Sequence, residues 1–216
     1  MTHKQMRDQV VQWLGLQDIS SYSETQLAED LIYQGTLDML ARTRCVARCV
    51  QLHTFAGQDT YTLDHKILAL VDVEDGNRRR ARREQTYTPN FTLIRADVLR
   101  LEPPPSEDGQ TVQVWAVLRP LQMTTDTQSI ADEAYGAVPE EFHDAVVTYA
   151  LWKASDYADD ASGQMGERYR ALYEGPQGNA GRLGQIRAQV NKRGTARAPR
   201  ARVRLRAGNP HETWVG

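Results

Sequence analysis

The sequence predicts an α+β fold: a mainly helical bundle carrying an inserted small antiparallel β lobe, with an extended basic C-terminal arm. Three observations carry that expectation. Apolar residues recur at helical spacing up to about residue 45 and again from about residue 139. Between these stretches the period changes to two, with turn residues separating short apolar runs. Residues 192–206 then carry seven basic side chains and no carboxylate. The expected division is a first helical part over 1–45, the β lobe over 46–122, a second helical part over 123–191 and the arm over 192–216. A chain of 216 residues, 40% hydrophobic and 25% charged, has room for one such domain with an insertion.

In the first helix Met6, Val10, Trp13 and Leu14 form one stripe, and Gly15 is the natural stop. The second opens with Ser23 and Gln26, the S-x-x-Q pattern of a capping box. Leu27, Leu31, Ile32 and Met39 follow on one face, which predicts a helix over about 24–43.

From Val46 five runs read as strands: CVQLHTF, ILALVDV, TYTPNFTLI, VLRL and TVQVWAVL. They are short and rich in β-branched and aromatic residues, and AGQD, EDGN and PPPSEDG between them supply turns. Val112, Val114, Ala116 and Leu118 share one face of the last run, Trp115 and Val117 the other. No crossover helix intervenes, so the sheet is expected to be antiparallel. Pro89 inside one run predicts an edge strand there.

Helical spacing returns at VPEEFHDAVVTYALWKASDYADDA. Pro139 suits the first helical position, and Glu140 and Glu141 suit the positive end of the helix dipole. Phe142, Ala145, Tyr149 and Trp152 make one apolar stripe that Val146, Val147 and Leu151 widen, which places this helix centrally. Met165, Tyr169, Leu172 and Tyr173 predict a further helix, and Leu183, Ile186 and Val190 another, with GPQGNAG breaking the chain between them. The helices on either side of the strands are expected to pack together.

Signatures of catalytic or metal chemistry are sparse in this sequence. GPQGNAGRLG lacks the GK[ST] of a phosphate loop, and no strand leads into it. Asp156, Asp159 and Asp160 lack the further carboxylates and closing Glu of a calcium loop and read as a solvated helix end. The five histidines show no metal-ligand spacing, and His143 reads as a satisfied helix-surface residue. Cys45 and Cys49, four apart, are neither a redox pair nor half of a zinc site. On a strand both would face one way and pack as small apolar groups. No serine stands in a nucleophile elbow. No enzyme, cofactor or metal is therefore expected. No apolar run reaches the length of a membrane helix and the N-terminus does not resemble a signal peptide, so synthesis in the cytoplasm and no membrane partner are expected.

The charge is unevenly spread. Residues 1–191 hold 19 basic and 27 acidic side chains, a net of −8, and 192–206 hold +7; Glu212 completes the overall −2. A second cluster, RRRARR at 78–83, follows a hairpin-type turn and belongs at a loop tip or a strand start. Its residues Arg78, Arg79, Arg80, Arg82 and Arg83 make a candidate inter-subunit or partner contact. An acidic body with two basic segments points to specific docking rather than to coating nucleic acid. The arm itself carries Lys192, Arg193, Arg197, Arg200, Arg202, Arg204 and Arg206. In RARVRLRAG, Arg202, Arg204 and Arg206 alternate with Val203 and Leu205, so an extended strand puts arginines on one side and apolar groups on the other. That pattern suits strand addition or a groove with one acidic and one apolar wall. The alternatives are a disordered solubilising tail, or a packaging-associated DNA-binding protein that sets both Arg clusters on phosphates.

Taken in order, these stretches resemble the head-to-tail adaptor, or head completion, proteins of tailed bacteriophages. The resemblance lies in the helical start, the second helix ending LARTRCV, the AGQDTYTL turn, VPEEFHDAVVTYALWKASDYADD, GERYRALYEG, and RLGQIRAQVNKRG leading into the basic tail. Such chains often carry a Pro soon after the Leu of the AGQ turn, where this one has Asp64. The resemblance implies a structural virion protein at the neck between head and tail. It would form a ring, usually a dodecamer, beneath the portal after DNA packaging. Its C-terminal arm would dock on the portal protein ring and its other face would receive the tail or nozzle protein. DNA would pass through the channel without specific binding, which an acidic body favours.

Overall fold

A computed structural model describes residues 1–14, 23–75, 78–82, 90–156, 164–175 and 181–193. Among these the α+β class holds. Helices α1 (His3–Leu14) and α2 (Glu24–Thr43) come first. Seven strands follow: β1 (Arg48–His53), β2 (Thr60–Thr62), β3 (Ile67–Asp75), β4 (Arg78–Arg82), β5 (Asn90–Arg95), β6 (Val98–Glu102) and β7 (Thr111–Leu118). Helices α3 (His143–Ser155), α4 (Gln164–Glu174) and α5 (Arg182–Arg193) complete the order, with short 3-10 turns at Glu133–Tyr135 and Glu140–Phe142.

Helix α2 spans the predicted range, because its apolar positions keep to one face: Leu27, Leu31, Ile32, Met39 and Leu40 are all buried. Its start differs from expectation. The Ser23 carbonyl accepts the Leu27 N–H at 3.0 Å, but no side-chain cap bond forms and Gln26 stays exposed, so the capping box is not closed. At the other end Arg44 adopts the left-handed conformation (φ 52°) and donates its N–H to the Leu40 carbonyl, doing with a long side chain what glycine usually does.

The helices before and after the strands share one core. Met6 and Val10 of α1, the buried face of α2, Ala145, Val146, Val147 and Ala150 of α3, Tyr173 of α4, and Leu183, Ile186 and Val190 of α5 form a single cluster. Gly35 sets the approach of α2 to α3. A Cβ there would stand 3.1 Å from the Val146 carbonyl oxygen and 3.0 Å from the Tyr149 ring.

The strands build a sheet in the order β1-β7-β3-β4-β5-β6-β2. Two antiparallel ladders are joined by a two-residue parallel link, Ala81 opposite Asn90 and Arg82 opposite Phe91. Wholly antiparallel pairing is thus corrected at β4–β5, a link that the alternation of apolar residues does not encode. β2, only three residues long, matches none of the five expected runs, and β4, almost all arginine, takes the strand alternative for the RRRARR segment. β5 begins directly after Pro89 and lies between β4 and β6, so it is not an edge strand. Pro89 itself lies outside the described residues. The edges are β1 and β2.

Tyr61, Phe91, Leu99 and Leu101 from one ladder meet Val73, Val112, Val114 and Ala116 from the other in a second core. β7 faces both ways: Val117, on its opposite side, joins the helical core, with Leu68, Ala69 and Val71 of β3 packed beside it. Register shifts at Ile67/Ala69 and Leu70/Asp72 break simple alternation in β3, which lets neighbouring apolar residues reach both cores.

Four smaller expectations are corrected. Pro139 precedes a 3-10 turn and α3 starts at His143. His143 is fully buried, not at the surface; one ring nitrogen meets the Val138 carbonyl at 3.1 Å and the other the Met1 amino group at 2.8 Å. Cys45 is buried ahead of β1 while Cys49 is exposed on it, so they do not share a packed face. Leu172 is half exposed, because α4 turns only Tyr173 fully into the core.

Candidate functional site

Helix α5 is the element from which the basic tract leaves, and it is built to be held firmly. Leu183, Ile186 and Val190 bury its inner face, and its sequence RLGQIRAQVNKR contains no acidic residue. The Arg187 guanidinium donates from Nε (3.2 Å) and Nη2 (3.1 Å) to the Arg42 carbonyl, which caps the C-terminal end of α2, where a cation also suits the dipole. Lys192 and Arg193 form the last turn of α5 rather than the start of an extended arm, because the helical pattern ending at Val190 carries one further turn. Arg197, Arg200, Arg202, Val203, Arg204, Leu205 and Arg206 lie outside the described residues.

Beneath α5, α4 is locked to α2 by charge. The Tyr173 hydroxyl donates to Asp38 at 2.7 Å. Arg42 pairs with Glu174 at 2.8 Å and Asp38 at 3.5 Å, and Arg170 with Glu174 at 3.2 Å. The hydrogen bond from Arg42, joined by that from Arg170, holds the Glu174 carboxyl below its ordinary range against the opposing effect of partial burial. Burial, then the Asp38 bond, drives the Tyr173 phenol far up, so it acts as a permanent donor. Tyr149 stands edge-on to Tyr173 and Trp152 at 5.3 and 5.6 Å, and Lys153 lies 4.1 Å from the Trp152 ring centre. Gly175 (φ 92°) ends α4. A Cβ on Gly181 would fall on the Gly175 amide and the Tyr173 carbonyl, so only glycine lets the chain re-enter as α5.

The second cluster is a strand in its own right. Arg78, Arg79 and Arg80 stand opposite Asp75, Glu74 and Val73 of β3, and Arg82 opposite Phe91 of β5. The register sets two acidic residues opposite two of the arginines along the ladder. The loop-tip alternative is thereby removed; Arg83 lies outside the described residues.

A further feature was not foreseen. A cleft of about 920 Å³ opens where the end of β7 meets α2 and the β2–β3 turn. Its floor is apolar, from Val46, Val117, Leu118 and Pro120, and its rim carries Tyr33, Arg48, Asp64, His65, Lys66, Arg119, Leu121 and Glu133. The walls are fixed by the backbone: Arg119 N–H bonds to the Lys66 carbonyl at 2.8 Å, and Leu121 N–H to the Ala134 carbonyl at 2.9 Å. Arg48 clasps Glu133 at 2.6 Å and its carbonyl at 3.1 Å, and Tyr33 donates to the Pro120 carbonyl at 3.2 Å. These residues are spread over a hundred positions and share no motif.

Among the described residues that line the cleft there is no serine, threonine or cysteine. Among the described residues no group of three or more His, Cys, Asp or Glu could hold a metal ion, and no helix is long and apolar enough to cross a membrane.

Compared with protein families, the chain matches the model of the SU10 adaptor protein over residues 1–204. The search of curated proteins gave no match.

Proposed function

The chain belongs to the SU10 adaptor protein family, which makes it a bacteriophage structural adaptor rather than a member of an enzyme class, and from that premise we propose how it works. It sits at the virion neck, joins a ring of its own copies beneath the portal after DNA packaging, and receives the tail or nozzle on its other face. The ring is a dodecamer in the virion. Its basic tract, from Lys192 in the last turn of α5 to Arg206, docks on the portal, with Arg202, Arg204 and Arg206 toward acidic groups and Val203 and Leu205 toward an apolar wall.

The observation that carries this reading is the extent of the family match, which runs past the end of α5 at Arg193 and into the basic tract. Its physical support is the clamping of α5 onto α2 and α4, so that a load on the arm passes into the helical core. Each arm contact is modest, but linkage around a ring multiplies affinity by roughly 10²–10⁴ for each coupled pair. A body of net −8 over residues 1–191 lets DNA slide past without adhering. Arg78, Arg79, Arg80, Arg82 and Arg83 serve contact between copies or with a partner. The parts 1–45 and 123–191 act as the bundle, and 46–122 as the lobe carried upon it.

Charge reversal tests the arm. Replacing Arg202, Arg204 and Arg206 by Glu should abolish co-sedimentation with the portal ring at physiological salt while leaving the circular dichroism of the helices intact. If the reversed protein still joins the portal, while the native one binds a short DNA duplex tightly and with steep salt dependence, the arginines belong on phosphate.

A further inference from the structure

The cleft between β7, α2 and the β2–β3 turn carries an inference independent of the arm. We propose that it is a docking site for an acidic, apolar-anchored peptide segment of a partner protein. Two observations converge on that occupant.

The first is charge. The body of the protein is acidic, yet the ionised groups at this cleft are Arg48, Lys66 and Arg119 against Asp64 and Glu133, with His65 beside them. Arg48 is already satisfied by Glu133. Lys66 and Arg119 form no ion pair among the described residues; Arg119 reaches only the Tyr33 hydroxyl, at 3.5 Å. They are also cross-strand neighbours, joined through the Arg119 N–H and the Lys66 carbonyl. Asp64 also lines the cleft but forms no ion pair with either cation among the described residues, so a carboxylate arriving from outside would meet two exposed cations.

The second is apolar surface. Leu121 is 65% exposed at the rim, pinned there by its backbone bond to Ala134 rather than drawn into a core. Val46, Val117, Leu118 and Pro120 continue the apolar surface inward. A bulky side chain from a partner would lie on this floor while a flanking carboxylate meets Lys66 and Arg119. The walls come from strands, a helix and backbone-bonded turns, so the site is preformed and ordering it on binding costs little.

The probe is a fluorescein-labelled peptide, Glu-Glu-Leu-Phe-Glu-Glu, titrated with the full chain and read by anisotropy, beside the same peptide with Gln for Glu. We expect saturable binding of the acidic peptide and binding about tenfold weaker for its neutral twin. In the double variant Lys66→Glu/Arg119→Glu the preference between peptides should reverse, and Leu121→Ser should weaken both. All three side chains are exposed, and an unchanged thermal unfolding curve verifies that the variants fold. Absence of saturable binding, equal affinity for the two peptides, or indifference to these substitutions would overturn the proposal. So would competition by a short DNA duplex that depends on Lys66 and Arg119, which would assign the cleft to phosphate. Self-association lost in the double variant would assign it to a second copy of the chain. None of these outcomes bears on whether the arm joins a portal.

Discussion

His143 shows how a single residue ties the N-terminal helix to the second helical part. Burial, with the nearby Met1 amino group adding to it, pushes the imidazole below its ordinary value despite the Val138 carbonyl that favours its charged form. The unfolded chain, with a histidine near 6.5, therefore binds the proton more readily than the native one. Stability should rise with pH through this window and fall as pH drops from about 7 toward 5. Urea titrations at several pH values check this: His143→Gln should lower stability at pH 7.5 yet flatten the slope across that window. At Tyr173, Phe in place of Tyr removes the bond to Asp38 and should cost about 1–3 kcal/mol, measured by the same unfolding. Neither residue's role was legible in the sequence. His143 reads as a surface residue from the sequence, and its partners, the Met1 amino group and the Val138 carbonyl, meet it only once the chain is folded. Tyr173 was recognised as apolar stripe, but its partner lies 135 positions away.

At the scale of elements, helices were read more faithfully than strands. α2 coincides with its predicted range, and Leu183, Ile186 and Val190 of α5 are buried as expected, because a 3.6-residue stripe is a long and redundant signal. β2 has three residues, too few for any period to show, and β4 is held by pairing rather than by apolar faces. The parallel β4–β5 link depends on chain contacts that no local pattern records. The α4–α5 connection makes its own prediction. Gly181→Ala forces a Cβ onto backbone atoms and should cost about 1–3 kcal/mol, with the loss concentrated in α5 and visible as faster amide exchange there. The Glu174 carboxyl, held below its ordinary range, contributes stability that is present above the unfolded carboxylate value and is lost as pH falls through the native one. Glu174→Gln should therefore flatten the acid limb of the stability curve below about pH 4.3, seen in the same titrations.

Across the whole molecule, charge is the organising feature. Composition alone exposes it: a slightly acidic chain separates into an acidic body and a basic tract, and α5, without a single carboxylate, carries the transition. That part of the candidate site was legible because charge needs no fold to be counted. The cleft was not, since Tyr33, Lys66, Arg119 and Glu133 come together only when the sheet is seated on the helices. The isolated chain is expected to sediment as a monomer or a weakly associated species, because a ring component that closed early would block the proposed order of assembly. A stable dodecamer of the purified protein would contradict that expectation.

The most direct measurement is the mass of the complex formed when the purified chain meets the portal ring of its own particle, made once with the full chain and once with a chain ending at Arg193, which leaves α5 whole. Addition of about one chain per portal subunit, lost on truncation, is the predicted result and makes the basic tract the anchor. Equal addition by both chains, or none by either, would contradict it.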